Sequence, residues 1–233
     1  MKAKKYRIIS NIVIFSMFIV LISYIGTSNY KYVFSYQNEN VIYNGNRDSN
    51  NVSIMFNVYW GTEYLDGILD VLDNYNIKTT FFVGGQWVEK EPEMLEKIFS
   101  KGHEIANHGY FHKDQEYLSY DQNYDEIKVN HDLVKSIIGF DMNLFAPPSG
   151  SFNKATIESA MDLGYSTIMW SKDTIDWRDK DANLIYSRAT NNVTGGDLIL
   201  AHPTECTLKA LPLILEFFKL NNFNATTVSE CLK

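Results

Sequence analysis

The stretch IMFNVYWG, residues 54–61, sets Ile54, Phe56 and Val58 against Met55, Asn57 and Tyr59 in strict alternation. A period of two places neighbours on opposite faces of a strand, so the pattern predicts a buried strand that Trp60 and Gly61 bring to an end. Asn57 near its end is an odd choice for packing alone, and the stretch by itself does not decide between a core strand and one that feeds an active site. That strand is read as 52–58, and similar runs recur downstream at 78–84, 103–108, 143–148, 165–171, 197–202 and 224–230. Between most of them lie helical patterns at 63–74, 125–138, 154–163, 183–191 and 208–220. Leu65, Ile68, Leu69 and Leu72 share one face of the first, and PEMLEKIFSKG closes on Lys101 and Gly102 as helices do. Strands alternating with helices predict an α/β fold with a mainly parallel sheet, doubly wound or closed as a barrel. In either form, reactive groups gather where strands end.

The first 50 residues differ from the rest. Lys2, Lys4, Lys5 and Arg7 precede an uncharged run from Ile8 to Ile25. At about 1.5 Å per residue a helix of that length reaches close to the roughly 30 Å hydrocarbon core of a bilayer. The expectation is a cytoplasmic tail (1–7), a transmembrane signal-anchor (8–25) and the remainder outside the membrane. Cleavage near YIGTS is the rival reading, which makes the protein secreted. Residues 26–50, rich in Asn, Ser, Tyr and Gly without a period, read as a linker, leaving 51–233 as one domain. Without the four tail cations the chain has 17 lysines and arginines against 28 acids, a formal charge of −11. That sign argues against nucleic acid and anionic lipid as partners and leaves a neutral or cationic one. Two cysteines, Cys206 and Cys231, are too few for a disulfide scaffold; one bridge and two free thiols both fit.

The strand ends carry the chemistry. NHGYFH places His108 and His112 four apart, within reach of one metal ion if the intervening segment makes a helical turn, although loop histidines fit the spacing too. LILAHP puts His202 after four apolar residues, either as a capping residue or as a proton donor above the strand ends. WSKDTIDW supplies Asp173 and Asp176, which are surface turn acids unless one of them orients an imidazole. APPSGSFN makes a rigid edge at Pro147 and Pro148, and with Tyr59, Trp60, Tyr110 and Trp177 it outlines an aromatic groove suited to sugar rings.

Taken in order, KTTFFVGGQWVEKEPEMLEKIFSKGHEIANHGYFH, APPSGSFN, SKDTIDW and GDLILAHPT resemble the motifs of the polysaccharide deacetylase family, also called the NodB homology domain or carbohydrate esterase family 4. The likeness covers about residues 50–233. It is greatest to a sporulation-associated, membrane-anchored subgroup, through WG in the first motif, PPSGSFNK, and ALPLILEFFK with TTVSE. The resemblance implies a distorted (β/α) barrel and removal of N-acetyl groups from an amino-sugar polymer such as peptidoglycan. It also implies a divalent metal, usually zinc, with His108 and His112 as ligands, His202 as general acid and Asp176 as its orienting partner. Tyr59, Trp60, Pro147, Pro148, Trp177 and Leu200 fall at substrate-binding positions. The first motif departs from the family: the base position is Asn57, and neither Val58 nor Tyr59 is a normal third metal ligand. The Arg that usually opens the third motif is Ala146. Two functions follow, a deacetylase with a degenerate first motif and a catalytically silent glycan-binding or scaffold protein on the same fold.

Overall fold

The computed structural model describes residues 41–233. The basic tail, the apolar run 8–25 and the linker up to residue 40 lie outside the described residues. Strand and helix alternate as β1 (Val41–Ile42), β2 (Asn51–Val58), α1 (Thr62–Asn74), β3 (Thr80–Val83), α2 (Gly85–Lys90), α3 (Pro92–Ser100), β4 (Glu104–Asn107), α4 (Tyr120–Ile138), β5 (Leu144–Phe145), α5 (Lys154–Asp162), β6 (Ser166–Ile168), β7 (Lys172–Asp173), α6 (Ala182–Thr190), β8 (Leu198–Ala201), α7 (Glu205–Leu220), β9 (Asn224–Ala225) and α8 (Val228–Cys231). The strands run parallel in the order β1-β6-β5-β4-β3-β2-β8-β7, with β9 paired to the start of β2. The result is a distorted, incompletely closed (β/α) barrel. Among the described residues no helix is long and apolar enough to cross a membrane.

Both faces of β2 are covered, so its alternation separates two apolar layers rather than core from solvent. Val52, Ile54, Phe56 and Val58 face the surrounding helices, joining Leu65, Ile68, Leu69 and Leu72 of α1. Met55 faces the barrel interior with Phe82, Ala106, Leu144 and Leu200. Phe56 stacks on Phe81 at 5.1 Å, and a fully buried side chain of this size contributes about 1.5–3 kcal/mol. Helix starts are set locally. Ser119 with Gln122 and Asn153 with Thr156 form capping boxes on α4 and α5, and Thr204 caps α7.

Two segments depart from the sequence expectation. Residues 41–50, placed in the linker, belong to the barrel. Val41 and Ile42 pair with β6, Asn44 bridges Asp197, and Arg47 pairs with the Asp197 carboxylate at 2.7 Å. Ser171 also donates to Asp197 at 2.8 Å, so this buried acid ties three segments at the seam. Residues 224–230, read as a strand, give two residues of β9 and then turn into α8, because Thr227 caps that helix by accepting from the Glu230 N–H. Val228 and Cys231 of α8 fill the lower end of the barrel interior. Gly45 lies so close that a Cβ there would stand 2.1 Å from the Cys231 carbonyl oxygen. Cys206 and Cys231 are unpaired, and burial pushes the Cys231 thiol up to about 11.

His103, entering β4, is buried edge-on to Phe81, and its Nδ1 accepts from the Thr79 N–H at 3.2 Å. Burial pushes its pKa down to about 4 from 6.5. The unfolded chain therefore binds the proton first, so stability is present above the unfolded value and drains as pH falls from about 6.5 to about 4. Urea midpoints should drop between neutral pH and about pH 5; an unchanged midpoint would remove this role for His103.

Candidate active site

A cavity of about 440 Å³ opens where the strands end. β2 pairs Met55 with Leu200 of β8, and the same register two residues on brings Asn57 level with His202. On its other side Asn57 pairs with Phe82. Asn57 lines the cavity floor, 4% exposed, and its Oδ1 is buried with no hydrogen-bond partner among the described residues. An orphaned buried acceptor costs about 1–3 kcal/mol, so this strand end is not optimised for stability.

Asp176 holds His202. The His202 Nδ1 and its backbone N–H each lie 2.7 Å from a different oxygen of the Asp176 carboxylate. Thr207 donates a further hydrogen bond to the same group from α7. Asp176 is 2% exposed, so one ring orientation is enforced and Nε2 is left for the cavity. Trp60 stacks parallel to the imidazole at 5.9 Å. Gly61, at φ 83°, lets the chain turn from Trp60 into α1.

His108 follows β4 and donates from Nδ1 to the Ala146 carbonyl at 2.7 Å. Burial, reinforced by neighbouring His112, pushes its pKa down to about 3, so the ring is neutral. The rings of His108 and His112 lie 5.0 Å apart at 71°. The segment joining them is a loop rather than the helical turn the spacing suggested, and His112 adopts φ 56°. Glu126 of α4 dictates that shape. Its buried carboxylate accepts from the N–H groups of Tyr110 at 3.0 Å and Phe111 at 2.8 Å, while Lys113 pairs with it at 3.2 Å. Asn107 accepts from the Gly109 N–H at 2.9 Å and fixes the other end. Nothing in the local sequence marks Glu126 as the loop's anchor, since only the fold brings α4 beneath β4.

The rim is aromatic. Trp60 is 44% and Trp177 55% exposed, and Leu200 forms part of the floor. Pro147 and Pro148 are buried and do not line the cavity; Ser149, at φ 56° on the turn they shape, does. Tyr110 packs against Gly85 instead of reaching the cavity. Trp170 and Asp173 line it as well. The apolar run 165–171 hid Trp170, which lies just beyond β6 where the chain leaves the barrel wall.

The donor set does not fit a complete metal site. Catalytic zinc takes three protein ligands and keeps a fourth position open. Val58 points into the helix-facing core. The Tyr59 ring lies 4.6 Å from that of His112, and its hydroxyl donates to Gln86. Burial, with Glu126's charge behind it, raises the phenol's pKa and keeps it protonated. Among the described residues no three His, Cys, Asp or Glu side chains come together in a way that could hold an ion.

A parallel barrel carrying paired histidines, an Asp-held histidine and an aromatic rim at its strand ends is the arrangement expected of the polysaccharide deacetylase family. Residues 44–168 match the family model described as Polysaccharide deacetylase, and the chain belongs to that family. It is 36% identical to YlxY of Bacillus subtilis over 82% of this chain, spanning 60% of YlxY's length. It is 31% identical to a peptidoglycan-N-acetylglucosamine deacetylase of Bacillus cereus, over 73% of this chain and 82% of that protein. Among solved structures, wild-type BA3943, a CE4 family pseudoenzyme from Bacillus anthracis, superposes with TM-score 0.81 at 32% identity, covering 83% of this chain and 69% of that one. A BA3943 mutant with restored enzymatic activity gives the same TM-score at 30% identity, over 83% of this chain and 71% of the mutant.

Proposed function

We propose that this chain is an extracytoplasmic, deacetylase-like protein that engages an amino-sugar polymer of the peptidoglycan kind, with N-deacetylation held back at the base position. The observation that carries the reading is Asn57 level with the Asp176-held His202 at the strand ends. His202 is placed to pass a proton to a leaving amine, but an amide opposite it accepts none at neutral pH. Loss of a positioned general base typically costs about 10²- to 10⁴-fold in rate. Export and a membrane anchor belong to the same proposal, supported by the basic tail and the uncharged run 8–25. A part in spore formation rests on the subgroup likeness of the sequence. The incomplete ligand set favours a second reading, a silent glycan-binding protein; the likeness to BA3943 supports it too.

The test uses purified full-length protein with an N-acetylated chitin or muropeptide oligomer and added zinc, cobalt or nickel. Saturable oligomer binding is expected, with slow acetate release that falls further in His202→Ala. Binding without acetate above that variant removes hydrolysis and leaves the silent binder; no binding removes both. Zinc below one equivalent is expected, since two imidazoles hold it weakly, and a full equivalent abolished by His108→Ala would overturn the incomplete site.

A further inference from the structure

The cavity sets a carboxylate, that of Asp173, among aromatic faces. The Nδ1 atoms of His108 and His202 are engaged by Ala146 and Asp176, which leaves both Nε2 atoms on the cavity side. Asp173 adds a carboxylate, only one oxygen of which is engaged, by the Ile175 N–H at 2.8 Å. Asn57 lies at the floor, with its Oδ1 buried. Among the described residues neither lysine nor arginine lines the cavity. Tyr59, Trp60, Trp170 and Trp177 surround these groups with aromatic faces, which attract cations. Arg178, whose charge acts on Asp173, is held by Asp179 and stays outside the lining, so a neutral acetamido group brings the carboxylate no positive partner within the cavity. A primary ammonium brings three donors and one positive charge.

We propose that the cavity binds the protonated amine of a de-N-acetylated hexosamine, so that along an amino-sugar polymer the protein reads glucosamine-type units in preference to their N-acetylated forms. The inference rests on the glycan reading of the same cleft and names the ligand class. Its ligand is the product of N-deacetylation, so an active deacetylase working on the same polymer must supply it.

The experiment titrates full-length protein at about pH 6, where a primary amine is charged, in the presence of a chelator. The probes are a glucosamine hexamer, an N-acetylglucosamine hexamer and spermine. The glucosamine hexamer is expected to bind about tenfold more tightly than the acetylated one, the span a partly desolvated cation–π site supports. Asp173→Asn should cut that preference to about twofold or less. Trp177→Ala, at an exposed rim position, should weaken the glucosamine hexamer more than the acetylated one, and it provides a second variant should the first not fold. Equal or tighter binding of the acetylated hexamer overturns the inference and leaves the glycan reading standing. No binding of either hexamer overturns both. Displacement of the glucosamine hexamer by spermine at equal concentration assigns the attraction to the acidic surface at large and also overturns it.

Discussion

Asn57→Asp is expected to raise acetate release from an N-acetylated oligomer by about 10²- to 10⁴-fold, the typical worth of a positioned general base. The substitution is nearly isosteric and falls where the wild-type amide oxygen has no partner, so it breaks no existing hydrogen bond at that atom. It places a proton acceptor level with the Asp176-held imidazole. It also sets an oxygen ligand in the cavity that His108 and His112 line, so tighter zinc uptake is the second readout. Burial penalises the new charge and raises its pKa, which should move the activity optimum toward higher pH. A folded variant releasing acetate no faster than wild type would show that the base position is not what limits the reaction. That BA3943 has a mutant with restored enzymatic activity makes the experiment a natural one on this barrel.

The second large effect is expected at Asp176. Its buried carboxylate takes three hydrogen bonds, two from His202 and one from Thr207, across the junction of β8 and α7. Asp176→Ala leaves those donors without their acceptor inside the protein. Removing one partner of a buried pair costs about 3–5 kcal/mol, which for a domain of this size lowers Tm by roughly 6–20 °C. Urea unfolding measures the loss directly. A loss below about 1 kcal/mol would mean that His202 is held by other contacts. Asp176→Asn, which keeps acceptors on one side only, should fall between the two.

Much of the fold was legible because parallel barrels repeat one local rule. Each long strand has a period-two apolar run and each long helix a one-sided apolar face, so β2 and α1 could be placed within a residue. What escaped was held by distant partners. Val41 and Ile42 make too short a strand to show a period, and they are ordered by β6 and by Arg47 on Asp197. The loop between His108 and His112 takes its shape from Glu126 on α4. Trp170 reaches the cavity through the path of the chain after β6, which no spacing reports. Asn57, His108, His112 and His202 could be singled out because strand ends must converge in such a fold. Their hydrogen bonds could not be read, since these depend on which backbone carbonyl or carboxylate the barrel brings alongside.

The short helix α8 has a consequence for how the molecule comes into being. Its Val228 N–H donates to the Thr80 hydroxyl at 2.7 Å, and the Cys231 carbonyl accepts from the Asn46 N–H at 2.9 Å. Helix α8 thus stoppers the barrel from below and clasps the first segment of the domain. The Val228–Thr80 contact spans 148 residues of sequence. Chain-closure entropy must be met before so distant a pairing is rewarded, so α8 seats late in folding, once β2 to β8 have formed its socket.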